Sequence, residues 1–228
     1  MSSIVDPELP QTVADLLRRL GRIAPRRVLL DPLPGTATER DLLDRHRRSG
    51  RLYELVEGTL VEKVIGYQES YLAALLIRLL GRFLDDNDLG CLTGSDSTMQ
   101  LMPGLVRVPD VAFVRWEKLP GRAIPEEPIP ALVPDLAIEV VSQGNTRGEM
   151  QRKLKEYFLA GTSLVWLVDP ARRMVTVHTA PETGTVCREG EVLTGGTVLP
   201  GLTLPVERLF ERLPAAGSGK RKKRDSSR

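Results

Sequence analysis

The sequence is poor in the residues that zinc sites and disulfide-stabilised folds use. Its 228 residues include two cysteines and two histidines. Cys91 and Cys187 lie far apart, and neither His46 nor His178 is spaced with a cysteine as a zinc pair requires. The sequence therefore gives no indication of a disulfide or a zinc site, and a Cys-His nucleophile is not expected.

Long apolar runs and aromatic residues are also scarce. The best candidate for a membrane span, YLAALLIRLLGRFL, is interrupted by Arg78 and Arg82, so no segment reaches the ~18 apolar residues that a membrane helix needs. The first residues, MSSIVDPELPQ, lack the basic and apolar regions of a signal peptide. We expect a cytoplasmic protein without a membrane partner.

The formal net charge of +2 hides an uneven distribution. The final stretch, GSGKRKKRDSSR, holds six basic residues and one acid, so it contributes +5 and leaves −3 for the rest of the chain. Its composition predicts disorder, and it would serve equally as a solubilising terminus or as a source of salt-sensitive phosphate contacts. Any nucleic-acid affinity of the folded part must therefore come from a local basic patch.

Hydrophobic periodicity and turn residues predict helices mixed with strands. Residues 12–20, the stretch ERDLLDRHRR and residues 68–84 favour helices, and a Glu57-Gly58 hairpin turn separates the first two strands. Later strands are predicted in STMQLMP, VPDVAFVRW and DLAIEVVS. A capping box of Thr146 and Glu149 begins a helix that ends at Gly161, before further strands and a last helix, VERLFERL. This order predicts an α+β (α/β) fold with a mixed central β-sheet flanked by helices.

Charged residues occur inside the apolar segments. Strand alternation places Asp135 and Glu139 on one face of DLAIEVVS, and Asp110 opens the strand VPDVAFV. On the following helix, Lys153 borders the apolar face, whereas Lys155 lies on the other flank. Burying an unpaired charge costs several kcal/mol. These residues are therefore expected to meet a partner, although Asp135, at the strand entrance, is expected to stay solvated.

Carboxylates with a lysine are the groups that metal-dependent phosphodiester hydrolysis uses. Oxygen ligands hold Mg²⁺, and a lysine can orient water or stabilise developing charge. The alternative is a set of ordinary salt bridges at the edges of a sheet, since acids and lysines are abundant. Glu139 is the residue that this alternative explains least well, because it lies in the middle of its strand.

Five motifs in order resemble the Uma-two family, a branch of the PD-(D/E)XK nuclease superfamily: YELVEG, RVPDVAFV, PDLAIEVVS, KLKEYFLAG and LVWLVDP. The resemblance covers about residues 52–170, and more loosely extends to 210. It implies a restriction-endonuclease-like core over residues 51–213, preceded by a helical extension (1–50) and followed by a basic tail (214–228). It also implies a DNA endonuclease that uses Mg²⁺ or Mn²⁺, acting as a homodimer.

The resemblance assigns roles to individual residues. Asp110 corresponds to the first metal-binding aspartate and Glu139 to the second acid. The usual lysine position, two residues after that acid, is Val141 here, and Lys153 on the next helix takes its place. Glu57 and Glu69 are two candidates for an additional acid, although Glu57 also suits a hairpin turn.

Several alternatives remain open at this level. Lys155 could replace Lys153 as the catalytic lysine, and Ser142 and Asn145 serve either a substrate channel or a turn. The site could be degenerate, which would make the chain a nucleic-acid-binding or protein-interaction module, because a fold does not fix function. A hydrolase of another phosphoester, or an RNase, is favoured less, because an aromatic content of 4% offers little surface for stacking RNA bases.

Overall fold

The computed structural model describes residues 10–214. The predicted tail, apart from Pro214, lies outside the described residues. The α-helices are α1 (Val13–Arg19), α2 (Glu39–Ser49), α3 (Tyr67–Asp86), α4 (Arg147–Ala160) and α5 (Glu207–Phe210), and 3-10 turns span Pro25–Arg27, Trp116–Lys118 and Pro120–Arg122. No helix within residues 10–214 is long and apolar enough to cross a membrane.

Twelve strands in the described residues form three sheets. The strands are β1 (Leu52–Val56), β2 (Thr59–Lys63), β3 (Gly90–Thr93), β4 (Met99–Met102), β5 (Leu105–Arg107), β6 (Val111–Arg115), β7 (Leu136–Val140), β8 (Leu164–Asp169), β9 (Met174–Ala180), β10 (Thr183–Arg188), β11 (Val192–Gly195) and β12 (Leu199–Pro205). The large sheet has the order β10-β9-β8-β7-β6-β3, the small sheet β2-β1-β5-β4, and β11 pairs with β12.

The large sheet is mixed, as predicted. Strands β7 and β8 are parallel and are joined through α4, whereas the other pairs of this sheet are antiparallel. Because strand side chains alternate, β7 sends Leu136, Ile138 and Val140 into the core that contains α3. Ala137 points into the opposite core, which contains residues of α1 and α4. Glu139 shares the face of Ala137 and therefore lies beneath α4.

The small sheet follows the same rule. Tyr53, Leu55 and Val106 pack with Leu42 of α2 on one face. Val56, Val61 and Leu105 join the core under α1 and α4 from the other face. Glu54 and Arg107 alternate along their strands with Tyr53, Leu55 and Val106, so their side chains lie on the other face and point toward α4. The region beneath α4 is where the two sheets meet.

Two predicted elements differ from the structure. VPDVAFVRW was predicted as one strand, but the chain leaves the small sheet after Arg107 and enters the large sheet at Val111. Asp110 lies in this crossing. The capping box is only half formed, because Thr146 caps the backbone of Glu149 while the Glu149 carboxylate binds Arg27 instead. A buried arginine outcompetes the local backbone donor for that carboxylate.

Candidate active site beneath helix α4

Glu139 is the fourth of the five residues of β7, and its side chain is about 5% exposed. Its neighbours along the strand are fully apolar and buried, so local water cannot stabilise the charge. The stabilisation comes from α4 instead. The Lys153 ammonium donates to both carboxylate oxygens at 2.9 and 3.0 Å, and the Tyr157 hydroxyl donates to Oε1 at 2.7 Å. Glu139 and Lys153 are therefore both buried and bind each other in the core.

Asp110 lies beside this pair, at the crossing between the two sheets. Its backbone N–H donates to Ile138 at 3.0 Å, and its Oδ2 accepts from the Val140 N–H at 2.6 Å. These bonds attach Asp110 to the residues that flank Glu139. Its Oδ1 is 2.8 Å from the ammonium of Lys63, the last residue of β2. Asp110 of the crossing and Glu139 of β7 thus each contact a lysine, Lys63 and Lys153 respectively.

The small sheet contributes a third carboxylate. Glu54 of β1 is fully buried, and its Oε1 is 2.9 Å from the Lys153 ammonium. Its other oxygen accepts from Arg107 at 2.6 Å. Arg107 also donates through Nε to Glu156 of α4 at 2.9 Å. Lys153 therefore bridges a carboxylate from each sheet, which fixes its ammonium at one point.

Burial and neighbouring charges shift the pKa values in opposite directions. Burial raises the pKa of Glu139 more than the ammonium groups of Lys153 and Lys63 lower it. For Glu54, burial is outweighed by Lys153 and Arg107, which hold the pKa of that carboxyl well below its usual range. Burial also opposes the charge of Lys153, but Glu139 and Glu54 outweigh it and raise the lysine pKa. Lys153 therefore stays an ammonium ion at neutral pH.

The carboxylate oxygens at the site are of the chemical type that binds a cation such as Mg²⁺. Mg²⁺ prefers carboxylate oxygens, often one or two of them, and keeps several waters. Asp110 and Glu139 supply two such carboxylates side by side. Within residues 10–214, however, no three acidic, histidine or cysteine side chains are grouped closely enough to form a complete metal cage. The ammonium groups of Lys63 and Lys153 contact the carboxylate oxygens that a metal would use.

The structure separates the other predicted site residues from this cluster. Glu57 lies in the β1–β2 turn with φ 48°, half exposed, and binds Arg152. Glu69 lies in the first turn of α3, where it lines a cleft of about 400 Å³ with Ser142 and Asn145. Lys155 is exposed on the outer face of α4. Neither glutamate joins Asp110, and of the two candidate lysines on α4 it is Lys153 that contacts Glu139.

Asp135 is buried rather than solvated. Its side chain is about 8% exposed and forms an ion pair with Lys118 at 3.1 Å. It also accepts from the Arg115 N–H at 2.9 Å. Lys118 belongs to the 3-10 turn Trp116–Lys118 that follows β6, and this turn supplies the partner that local sequence did not reveal. Asp135 therefore serves this structural pair at the opposite end of β7 from Ser142.

Three residues at the site were missed in the sequence. Glu54 carries the same signal as Glu139, an acid within an alternating apolar strand, and it lies in the same motif as the predicted Glu57. Lys63 and Arg107 lie at the ends of their strands. Lys63 is 47 positions from Asp110, and Arg107 is 53 positions from Glu54 and 49 from Glu156, so local pattern gives no sign of the pairing.

The loop between β7 and α4 is also built from polar contacts. Asn145 Oδ1 accepts from the backbone and hydroxyl of Ser142, both at 2.9 Å. Asn145 Nδ2 then donates to Glu149 at 3.0 Å. Glu149 also accepts a bidentate pair from Arg27, at 3.0 and 2.7 Å. Ser142 and Asn145 therefore hold the turn between β7 and α4. The cleft beside them is lined by residues that follow Lys63 and by residues that follow β7.

Comparison with known proteins identifies the family of this arrangement. Residues 40–207 match the model of the Uma2 family, described as "Putative restriction endonuclease". The chain belongs to the Uma2 family. Among solved structures, the chain is similar to one described as a putative nuclease belonging to DUF820 from Anabaena variabilis, with a TM-score of 0.64 and 18% identity. The likeness covers 75% of this chain and 97% of that one. No curated protein matches the sequence.

The Uma2 match confirms the resemblance and the fold class drawn from the sequence. It includes Asp110, Glu139 and Lys153, as well as the three site residues that were missed. It leaves α1 and the turn that follows outside the matched region. The similar solved structure supports the same α+β architecture at low sequence identity.

Proposed function

We propose that this Uma2 chain is a metal-dependent endonuclease that hydrolyses phosphodiester bonds of DNA. The observation that carries the proposal is the position of Lys153. Its side chain is about 4% exposed, and its ammonium is fixed between Glu139 and Glu54. A lysine beside two acids at this place in the fold is what phosphodiester hydrolysis requires.

Asp110 and Glu139 would hold Mg²⁺ or Mn²⁺. When bound, the metal supplies Lewis-acid activation of the phosphoryl group and of water. The chain's own residues then have separate tasks. The Val140 N–H and the Tyr157 hydroxyl orient the two carboxylates, and the Lys153 ammonium orients the attacking water or stabilises charge on the phosphate. Glu54 keeps Lys153 charged and in place.

A second candidate function also has a specific observation in its favour. Asp110, Glu139 and Glu54 are matched in charge by Lys63, Lys153 and Arg107. Such a set is stable without any metal, which suits a nucleic-acid-binding or protein-interaction module with a degenerate site. The division at residues 50 and 213 and a homodimer are further proposals that rest on the resemblance, and the cytoplasmic location is a proposal that rests on the sequence alone.

The decisive experiment is cleavage of a supercoiled plasmid and of labelled single-stranded DNA with Mg²⁺, Mn²⁺ or EDTA. The variants are Glu139→Ala and, as a matched control, Glu127→Ala, because Glu127 is exposed and lies outside the site. We expect metal-dependent cutting by the wild type and by Glu127→Ala, with no cutting by Glu139→Ala. Absence of cutting by the folded wild type on every substrate would support the binding module instead.

A further inference from the structure

An open groove lies on the outer face of α4, between this helix and the α1 region. Its volume is about 840 Å³. Its lining is dominated by basic side chains, which we call the basic groove: Arg18, Arg19, Arg22, Arg147, Arg152 and Lys155. Glu156 is the acidic residue in its lining, and its carboxylate is already bound by Arg107 and Arg152.

The two walls of the basic groove are held together by close contacts. Gly21 and Gly148 approach so tightly that a Cβ on Gly21 would stand 2.4 Å from the Glu149 nitrogen. The Thr146 hydroxyl donates to the Gly21 carbonyl, and Arg152 donates to the Arg19 carbonyl. The groove is therefore a built feature of the fold and not a chance gap between loops.

Part of the positive charge in the basic groove is not neutralised. Arg18 pairs with Asp15, and Arg19 and Arg152 share Glu57. Arg22, Arg147 and Lys155 are exposed, and no acidic partner for them occurs among residues 10–214. The chain before its basic terminus carries a net charge of −3, so the basic groove is positively charged on a part of the protein that is acidic overall. A surface of this kind attracts a polyanion.

We propose that the basic groove binds the phosphate backbone of double-stranded DNA and so keeps DNA bound to the protein along the outer face of α4. This inference rests on the proposed nuclease function. The groove and the site lie on opposite faces of one helix, and side chains connect them. Arg152 binds Glu156, which binds Arg107, which in turn binds Glu54 at the site.

The groove assigns a use to residues that the family match leaves aside. Arg18, Arg19 and Arg22 precede residue 40, where the Uma2 match begins. Arginine and lysine contacts to phosphate give affinity without sequence recognition, and each contact steepens the dependence on salt. The α1 region therefore adds DNA affinity to a catalytic core that is acidic overall.

The test is equilibrium binding of a short labelled duplex in EDTA, so that no cleavage occurs, by fluorescence anisotropy over a range of salt. The full chain is used throughout, so that the basic terminus is the same in each sample. The groove variant combines Arg22→Ala, Arg147→Ala and Lys155→Ala. The charge-matched control combines Arg47→Ala, Arg48→Ala and Arg212→Ala, which are exposed arginines outside the groove.

We expect the groove variant to lose at least about tenfold in affinity, with the slope of log K against log salt falling by roughly two to three. The control variant should bind within about threefold of the wild type. Equal losses in both variants would show that only net charge matters, and unchanged binding by the groove variant would place the DNA elsewhere. Either result overturns the proposal.

Plasmid cleavage with the same proteins separates this proposal from the proposed function. Cutting by the wild type with unchanged binding by the groove variant would leave the nuclease standing and remove the groove. Groove-dependent binding without cutting by the wild type would keep the groove and favour the binding module. Circular dichroism and thermal melting of the groove variant verify that α1 remains folded, since these substitutions leave the Arg27–Glu149 pair intact.

Discussion

The two faces of α4 use charge in opposite ways. On the inner face, Lys153 is buried and bonded to Glu139 and Glu54, and Glu156, at the border of the two faces, is bound by Arg107. On the outer face, Arg147 and Lys155 are exposed and lie in a groove with an excess of cations. Buried charges are fixed by partners, whereas exposed charges remain available to a ligand. One helix thus separates a site that requires exact placement from a surface that requires only positive potential.

The largest expected effect is the loss of stability on breaking the inner network. Glu54→Ala leaves Arg107 and Lys153 each without one buried partner. We expect the free energy of unfolding to fall by about 3 to 5 kcal/mol. Arg22→Ala, on the outer face, should change it by no more than about 0.5 kcal/mol. Urea unfolding followed by circular dichroism measures both. A small loss for Glu54→Ala would show that the inner charges are solvated, and the contrast between the faces would disappear.

A pair of lysines two residues apart sharpens the comparison in catalytic terms. We expect Lys153→Met to lower kcat by about 10²- to 10³-fold, the range typical for a group that stabilises charge in the transition state. Lys155→Met should act through DNA affinity, with a severalfold rise in KM. Steady-state cleavage of a labelled duplex with Mg²⁺ gives both constants. If Lys155→Met lowers kcat as strongly as Lys153→Met does, the lysine assignment is wrong.

Substitution of Lys63 should change the affinity for a divalent cation by an intermediate amount, and this affinity is measured without DNA cleavage. Its ammonium contacts Asp110, so a divalent cation at that carboxylate must displace it. We expect Lys63→Met to bind Mn²⁺ about tenfold more tightly, a difference of about 1.4 kcal/mol. Isothermal titration calorimetry without DNA measures the affinity, and Asp110→Asn serves as the control that should abolish binding. Equal or weaker binding by Lys63→Met would mean that its ammonium does not compete with the metal.

The sequence predicts the inner face well where the signal is local. Glu139 lies within an apolar strand and Lys153 borders the apolar face of the next helix, so alternation and helical periodicity bring them together. The helical position of Lys155 alone leaves it a candidate, and only the structure shows that its side chain is exposed on the outer face of α4. Glu69 lies in the first turn of α3, in the cleft beside Asn145, away from Asp110.

The pairings between the two sheets follow from topology rather than from pattern. Arg107 meets Glu54 and Glu156 because the chain crosses from the small sheet to the large sheet immediately after it. The same crossing places Lys63 against Asp110. The outer face is harder still to predict, since the basic groove depends on the docking of α1 through Gly21 and Gly148. Nothing in the local sequence of α1 indicates which helix it will contact.

The smallest expected effect is a pH trend at the point where the two faces join. Burial raises the pKa of Glu149, but the hydrogen bonds from Arg27 and the charge of Lys153 outweigh it, so its pKa is lowered on folding. A carboxyl with a lowered pKa contributes stability that is present above its unfolded pKa of about 4.3 and is lost as the pH falls below that value. Asn145 is its other neighbour and does not titrate.

Wild type and Glu149→Gln should therefore differ in unfolding free energy at pH 7, and this difference should shrink as the pH falls below about 4. Urea unfolding at a series of pH values measures the trend. A constant difference across that range would mean that Glu149 contributes as a neutral hydrogen-bonding group. The docking of α1, and with it the basic groove, would then depend on the Gly21–Gly148 contact more than on the Arg27–Glu149 pair.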